Sequence, residues 1–311
     1  TGDIIVVEAD EFDRTFLRLS PSLAVITNIE AEHMDIYESE EDVKEAFVEF
    51  ANKVPFYGAV VLCLDDQNVR SIIPRIERRT ISYGLTPQAR IRAVNIENNH
   101  FDSSFTVLDD GEPLGEITVS APGDHNVKNA LAAVAVGIEL EIEFARIKSG
   151  LERFEGVFRR FQLKFDRDGV MVIDDYAHHP TEVKATLSAA RKGWRNKRIV
   201  AVFQPHLYSR TQQLYPEFGS SFFDAEVCVI TDIYPSREEP IEGVTGQLIA
   251  DAAREYGHRK VHYVEEKKDL PTKLIEIVQS GDLVITMGAG DIYKYGEQFV
   301  DALEEGISNL N

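Results

Sequence analysis

Asp174-Asp175-Tyr176-Ala177-His178-His179-Pro180-Thr181-Glu182 is the stretch on which the reading of this chain turns. Just before it, Val170-Met171-Val172-Ile173 has the unbroken apolar character of a short buried strand. Just after it, Glu182 to Arg191 reads as a helix, with Pro180 near its first turn, where a missing N–H goes unnoticed. Two carboxylates and two imidazoles therefore stand at the carboxyl end of a strand and face a helix N-terminus. Open α/β sheets bind their ligands in that position. Four adjacent ionisable groups add little to folding, which favours a functional site over a plain Asp-capped strand-to-helix turn.

The same alternation extends in both directions. Downstream, strands are predicted at Arg198–Phe203, Glu226–Ile230, Lys260–Val264 and Asp282–Thr286, with helices between them, in a Rossmann-like pattern. Upstream, strands are predicted at Ile4–Val7, Leu23–Thr27 and Ala59–Leu64, and helices at Glu41–Asn52 and Asp66–Ile76, the grammar of a mainly parallel sheet. Residues 90–120 change character. The short runs Ile91–Val94, Phe101–Leu108 and Gly115–Val119 are separated by Asn98-Asn99 and Asp109-Asp110-Gly111-Glu112, which predicts a small antiparallel insert. Asp124–Leu140 and Glu143–Arg153 read as helices. A boundary is expected near Glu155-Gly156-Val157, giving domains 1–155 and 156–311.

Composition agrees with two domains: the chain has 311 residues, of which 43% are hydrophobic, enough for packed cores. No stretch approaches the length of a membrane span, and no secretory signal is visible. The net charge of −20 argues against sequence-independent binding to nucleic acid. Cys63 and Cys228 each lie in an apolar strand-like run and read as buried free thiols of a cytosolic protein. The chain starts Thr-Gly-Asp and runs at once into a strand, so it reads as the middle of something longer.

Other strand ends carry polar groups. Glu8-Ala9-Asp10-Glu11 offers oxygen ligands to Mg²⁺, or acidic capping of a following helix. His33, among the carboxylates of Asn28-Ile29-Glu30-Ala31-Glu32-His33-Met34-Asp35, is a candidate metal ligand or a solvated loop histidine. Asn126 and Asn129 share a face at the start of the long helix, and suit a nucleobase edge or an ordinary loop contact. Phe158-Arg159-Arg160-Phe161 sits at the expected junction, where a buried Arg suits phosphate; the alternative is a surface pair beside an edge strand. In Phe203-Gln204-Pro205-His206-Leu207-Tyr208-Ser209-Arg210-Thr211, Arg210 can bind a carboxylate and His206 can orient it. Asp232 to Glu239 ends the next strand in a similar way. Gly288-Ala289-Gly290-Asp291 has Tyr293 where a dinucleotide fingerprint needs a third Gly, so a tight strand-to-helix turn is the better reading. The chain has no G-x-x-x-x-G-K-[ST] loop, no zinc array and no G-x-S-x-G elbow.

Taken in order, Glu8-Ala9-Asp10-Glu11, Asn28 to Tyr37, His125-Asn126 with Asn129, Arg159-Arg160-Phe161, Asp174 to Glu182, Phe203 to Thr211, Asp232 to Pro240 and Gly288 to Ile292 resemble the Mur ligase family, most nearly its alanine-adding branch. These are ATP-dependent amide-bond-forming enzymes of peptidoglycan precursor synthesis. The resemblance implies an α/β fold in two domains: a P-loop-type ATPase domain, incomplete and with a small antiparallel insert, and a C-terminal Rossmann-like amino-acid-binding domain. A UDP-substrate domain and the phosphate loop would then lie upstream of Thr1.

The implied reaction is cytoplasmic and runs in two steps. The carboxylate of UDP-N-acetylmuramate attacks the γ-phosphate of ATP, and the amine of L-alanine then displaces phosphate from the acyl phosphate. By the same resemblance Glu8 and His33 serve Mg²⁺, Asn126 and Asn129 hold the adenine side, and Arg160 meets the ATP phosphates. Asp175 would orient the nucleotide or the reacting groups, while His178 and Arg210 face the amino acid. Leu207 stands where some alanine-adding members carry Arg, and Ala46-Phe47-Val48-Glu49-Phe50 lacks the Lys that sister ligases carbamylate. A murein-tripeptide recycling ligase and a non-catalytic relative remain as alternatives. The His33 loop fits the alanine-adding type better, and the retained His33, Arg160, Asp175 and His178 speak against a non-catalytic module. No role for nucleic acid or a membrane is implied.

Overall fold

The computed structural model describes residues 4–30 and 36–308. The chain divides into two compact units, Thr1–Glu97 with Ser103–Val119 and His125–Phe154, and Glu155–Asn311 with Asn98–Asp102 and Ser120–Asp124.

The sheet of the first unit has the order β1-β2-β3-β4-β5-β6. Strands β1 (Leu23–Ile26), β2 (Ala59–Cys63) and β3 (Thr80–Gly84) run parallel, as does β3 with the start of β4 (Ile91–Asn99). Strand β2 is buried at every position because both its faces are covered. Ala59, Val61 and Cys63 point into one apolar cluster with α3 (Asp124–Glu139) and α4 (Phe144–Glu152). Val60 and Leu62 point into another with α1 (Glu40–Asn52). This period of two is why an all-apolar run reads as a central parallel strand. Ser39 caps α1 by accepting from Asp42 N–H, and Asp66 caps α2 (Gln67–Ile72) through Val69 N–H. Helix α2 gives way to a 3-10 turn at Ile73–Arg75, which contains Pro74, and so stops short of the predicted Ile76.

The expected antiparallel insert is a continuation of this sheet. Strands β4, β5 (Asp102–Asp109) and β6 (Glu112–Val119) add to its edge, and β5 and β6 are joined by Asp110 (φ 48°) and Gly111 (φ 89°). Two residues at positive φ make the turn whose twist matches a hairpin. The predicted strand at Ile4–Val7 is not formed. Those side chains are exposed, Val6 to 94%, and the segment has no place in the sheet order. An apolar run becomes a strand only where a neighbour takes its backbone hydrogen bonds, and none of the described strands does so here.

The second unit has the order β11-β10-β9-β12-β8-β7. Strands β8 (Val170–Asp175), β9 (Arg198–Phe203), β10 (Val227–Thr231), β11 (Val261–Val264) and β12 (Asp282–Met287) are parallel; β7 (Gln162–Arg167) runs antiparallel at the edge. Helices α5 (Pro180–Gly193), α6 (Tyr208–Gly219), α7 (Gly246–Glu255), α8 (Leu270–Ile277) and α9 (Ile292–Ser308) alternate with them. In β9, Ile199, Ala201 and Phe203 face one core while Val200 and Val202 face the other. Full burial of each Ile, Val or Phe side chain here stabilises the sheet by about 1.5–3 kcal/mol. Cys63 and Cys228 are buried and free, and burial pushes both thiols up from their ordinary value. No helix among the described residues is long and apolar enough to cross a membrane.

Candidate active site at the strand ends of the second unit

Successive strand residues point to opposite faces, so Asp174 and Asp175 at the end of β8 do different work. Asp174, 1% exposed, accepts from Arg159 Nε at 2.8 Å and from the Thr286 hydroxyl at 2.8 Å. The guanidinium of Arg159 also donates to the carbonyls of Gly288 (2.7 Å) and Gly290 (3.1 Å). One buried ion pair thereby ties β8 to the loop after β12. Asp175, 5% exposed, accepts from the backbone N–H of Phe161 (2.7 Å) and Ala177 (2.8 Å) and from the Thr186 hydroxyl (3.2 Å). Burial raises the Asp175 carboxyl above its ordinary value, against the pull of the Ala177 and Phe161 amides.

Glu182 organises the loop that follows. Its Oε2 accepts from the backbone N–H of His178 (2.8 Å) and of His179 (3.2 Å), the N-cap of α5. The same oxygen lies 3.2 Å from His178 Nδ1. Burial works to raise the Glu182 carboxyl, but His178 and Arg160 outweigh it and leave it below its ordinary value.

The imidazole of His178 meets Tyr176 edge-on at 5.4 Å and His206 at 5.8 Å. His206 belongs to the loop after β9, and its Nδ1 lies 3.4 Å from Arg210 Nη1 on the first turn of α6. Leu207 between them has φ 70°, a left-handed backbone that turns the chain sharply into the helix. Glu238, from the loop after β10, accepts from Ser209 N–H at 3.0 Å and places a carboxylate at the positive end of α6. Burial lowers the His206 pKa to about 4, helped by His178 and Arg210, so the ring is neutral at pH 7. His178, His206 and Arg210 thus form one cluster of side chains across the carboxyl ends of β8 and β9.

Gly288 (φ 150°) and Gly290 make the turn after β12 compact. A Cβ on Gly290 would lie 2.5 Å from Gln204 Oε1 and from the Tyr234 ring. The fully buried Gln204 accepts from Ile292 N–H (3.1 Å) and donates to Asp291 (2.8 Å), which Lys267 also reaches at 2.8 Å.

Of the two arginines at the expected junction, the buried one is Arg159. Left-handed backbone at Arg159 (φ 58°) and Phe161 (φ 50°) breaks the alternation and turns Arg159 inward. The Arg160 side chain is 50% exposed, lies over the Tyr176 ring and pairs with Glu182 at 3.3 Å. In the first unit, Asn126 is half-buried and Asn129 exposed on α3, and Glu8 is exposed. His33 lies outside the described residues, and among the described residues no group of three His, Cys, Asp or Glu side chains has metal-binding geometry. Sequence reading missed Tyr234, Lys267 and the polar role of Gln204. Gln204 left a trace as a polar residue directly behind a buried apolar run, and Tyr234 lies in the marked segment Asp232 to Glu239 without being singled out; Lys267 left none.

Residues 1–137 match the Mur ligase middle domain, and residues 159–290 match the Mur ligase glutamate ligase domain. The UDP-N-acetylmuramate–L-alanine ligase of Salinibacter ruber is 55% identical over 303 residues, covering 97% of this chain and 64% of the relative. That of Geotalea daltonii is 50% identical over 304 residues, 98% of this chain and 66% of the relative. The chain therefore spans just under two thirds of the length of these relatives. Among solved structures, UDP-N-acetylmuramate–alanine ligase from Thermotoga maritima superposes with a TM-score of 0.77 at 28% identity, over 96% of this chain and 63% of that one. A murein peptide ligase from Psychrobacter arcticus shares the fold, with a TM-score of 0.64 at 21% identity over 92% of this chain and 58% of its own.

Proposed function

The chain belongs to the Mur ligase family, and from that premise we propose that the intact protein joins UDP-N-acetylmuramate to L-alanine through an acyl phosphate formed from ATP. The observation that carries the reading is the cluster of His178, His206 and Arg210, at the strand ends where an α/β sheet takes its ligand. Arg210 supplies a planar cation for the amino-acid carboxylate. The neutral His206 beside it orients that carboxylate without adding a competing charge. His178, held by Glu182, faces the same space.

Arg160 suits the ATP phosphates, because its guanidinium is half-exposed and its partner is an exchangeable carboxylate. Asn126 and Asn129 offer amides to the adenine side from one helix face. Glu8 and His33 are assigned to Mg²⁺; Glu8 is exposed and supplies the hard oxygen donor that ion takes. ATP and Mg²⁺ supply the activation that turns the acid into an acyl phosphate. The chain's part is to position the reactants and neutralise charge. With its carboxylate already occupied by Phe161, Ala177 and Thr186, Asp175 acts by holding the loop, not by touching substrate.

A cytoplasmic location follows from the nucleotide substrates. Domains 1–155 and 156–311 are assigned to nucleotide and amino-acid binding respectively. The higher identity to alanine-adding relatives supports alanine over a ready-made tripeptide. The test is phosphate release by the intact protein with each acceptor in turn. L-alanine should support turnover, and turnover with the tripeptide alone would favour the recycling reading.

A further inference from the structure

We propose that Lys267 is a positioning residue of the amino-acid subsite, holding the Tyr234 ring and through it the His206 imidazole in register with Arg210; the proposal rests on the alanine-ligase reading above. Lys267 lies in the loop after β11, away from every segment the sequence marked. Its ammonium sits 5.4 Å from the Tyr234 ring centre, 5.8 Å from that of Tyr295, and 2.8 Å from Asp291. Its side chain is only 23% exposed, so these contacts are made largely out of water, where cation–π attraction is strongest. Tyr234 in turn stacks on His206, with ring centres 5.8 Å apart and planes within 12°.

The Tyr234 backbone is already fixed. Its N–H donates to Pro205 O (2.8 Å) and its carbonyl accepts from Leu207 N–H (3.0 Å). What remains free is the ring torsion, and that is what a cation over the ring restrains. Asp291 locks the cation in place, and Gln204 fixes Asp291 to the loop after β9. The contacts therefore link the loops after β9, β10, β11 and β12.

The consequence for His206 is chemical. Arg210 has donors only, so a contact from its Nη1 requires Nδ1 of His206 to accept, which leaves the proton on Nε2. A neutral ring fixed as the Nε2–H tautomer presents one donor beside the Arg210 cation, a pair suited to a carboxylate. The charged or titratable groups facing the ring are His178, Arg210, Glu238 and Arg237. Lys267 acts on it through Tyr234.

The test uses Lys267→Met, which keeps the aliphatic reach and removes the charge, and Lys267→Arg, which restores a cation. Both are made in the intact protein, and Trp194 fluorescence reports folding. Lys267→Met should raise KM for L-alanine by about 2- to 30-fold, the span of a cation–π contact, with kcat little changed. The ¹⁵N resonances of His206 should move from a fixed Nε2–H pattern toward tautomer averaging, and Lys267→Arg should restore both readouts. An unchanged His206 pattern in Lys267→Met would overturn the proposal whatever happens to turnover. The imidazole signal is read without substrate, so failure of the alanine reading alone would appear as absent ligation with the His206 shift still present.

Discussion

Replacing Arg159 with methionine removes three donors from the interior of the second unit at once. Arg159 is 6% exposed; its partner Asp174 is 1% exposed and would keep only the Thr286 hydroxyl. Breaking a buried pair from one side leaves an uncompensated charge, at a cost of about 3–5 kcal/mol. The carbonyls of Gly288 and Gly290 lose their donors too, but water entering beside the shorter methionine meets them, so the cost stays within that range. Trp194, the single tryptophan, is 5% exposed and stacks on Phe161 at 5.6 Å, so its fluorescence reports this unit. With a urea slope of about 2 kcal/mol/M, the midpoint should fall by roughly 1.5–2.5 M.

Adding Asp174→Asn to Arg159→Met should recover part of the loss, because the orphaned charge disappears. Acid should do the same. Burial already raises the Asp174 carboxyl, and removing Arg159 raises it further. An acid whose folded-state pKa lies above its unfolded value is stabilised relative to the unfolded chain at low pH, and that advantage is lost as pH rises through the folded value. The gap between variant and parent should therefore narrow below neutral pH. A midpoint shift under about 0.3 M, or a double variant no more stable than the single one, would refute the reasoning.

His206 should titrate near pH 4 by NMR and not near its ordinary value of 6.5, and Arg210→Ala should raise that value. A depressed histidine contributes stability that is complete above 6.5 and lost as pH falls toward 4, so acid should loosen the His206 loop first. Asp175→Ala should lower kcat by orders of magnitude and speed hydrogen exchange at the Phe161 and Ala177 amides, which lose their acceptor; unchanged exchange would return Asp175 to direct contact with substrate. Arg160→Ala should change stability by no more than about 0.5 kcal/mol, since an exposed ion pair contributes little, while weakening nucleotide binding. Equal ATP affinity by calorimetry would remove Arg160 from the nucleotide site.

The parts of the fold written in local pattern were readable. Val170–Ile173 followed by Pro180 spells a buried strand and a helix start, and Asp110-Gly111 spells a two-residue hairpin turn. Ile4–Val7 spells a strand equally well, but pairing is a tertiary fact, and the segment is exposed. Strand β7 was legible only as an edge strand without bounds beside the arginine pair: of Gln162–Arg167 only Phe165 is buried, so its composition is that of a surface. Which arginine of the pair is buried depends on the left-handed backbone on both sides of Arg160, which no propensity of Arg or Phe announces. Lys267 beside Lys268 reads as solvated charge, and only the folded chain brings it over Tyr234.

The measurement closest to the central claim is coupled product analysis of the intact protein, given Mg-ATP, UDP-N-acetylmuramate and L-alanine, together and with each omitted. The account predicts that ADP, phosphate and the amide-linked product form in equal amounts only when all are present, and that Arg210→Ala raises KM for L-alanine far more than KM for ATP. Phosphate release that does not depend on L-alanine, or an Arg210→Ala variant with unchanged KM for L-alanine, would contradict it.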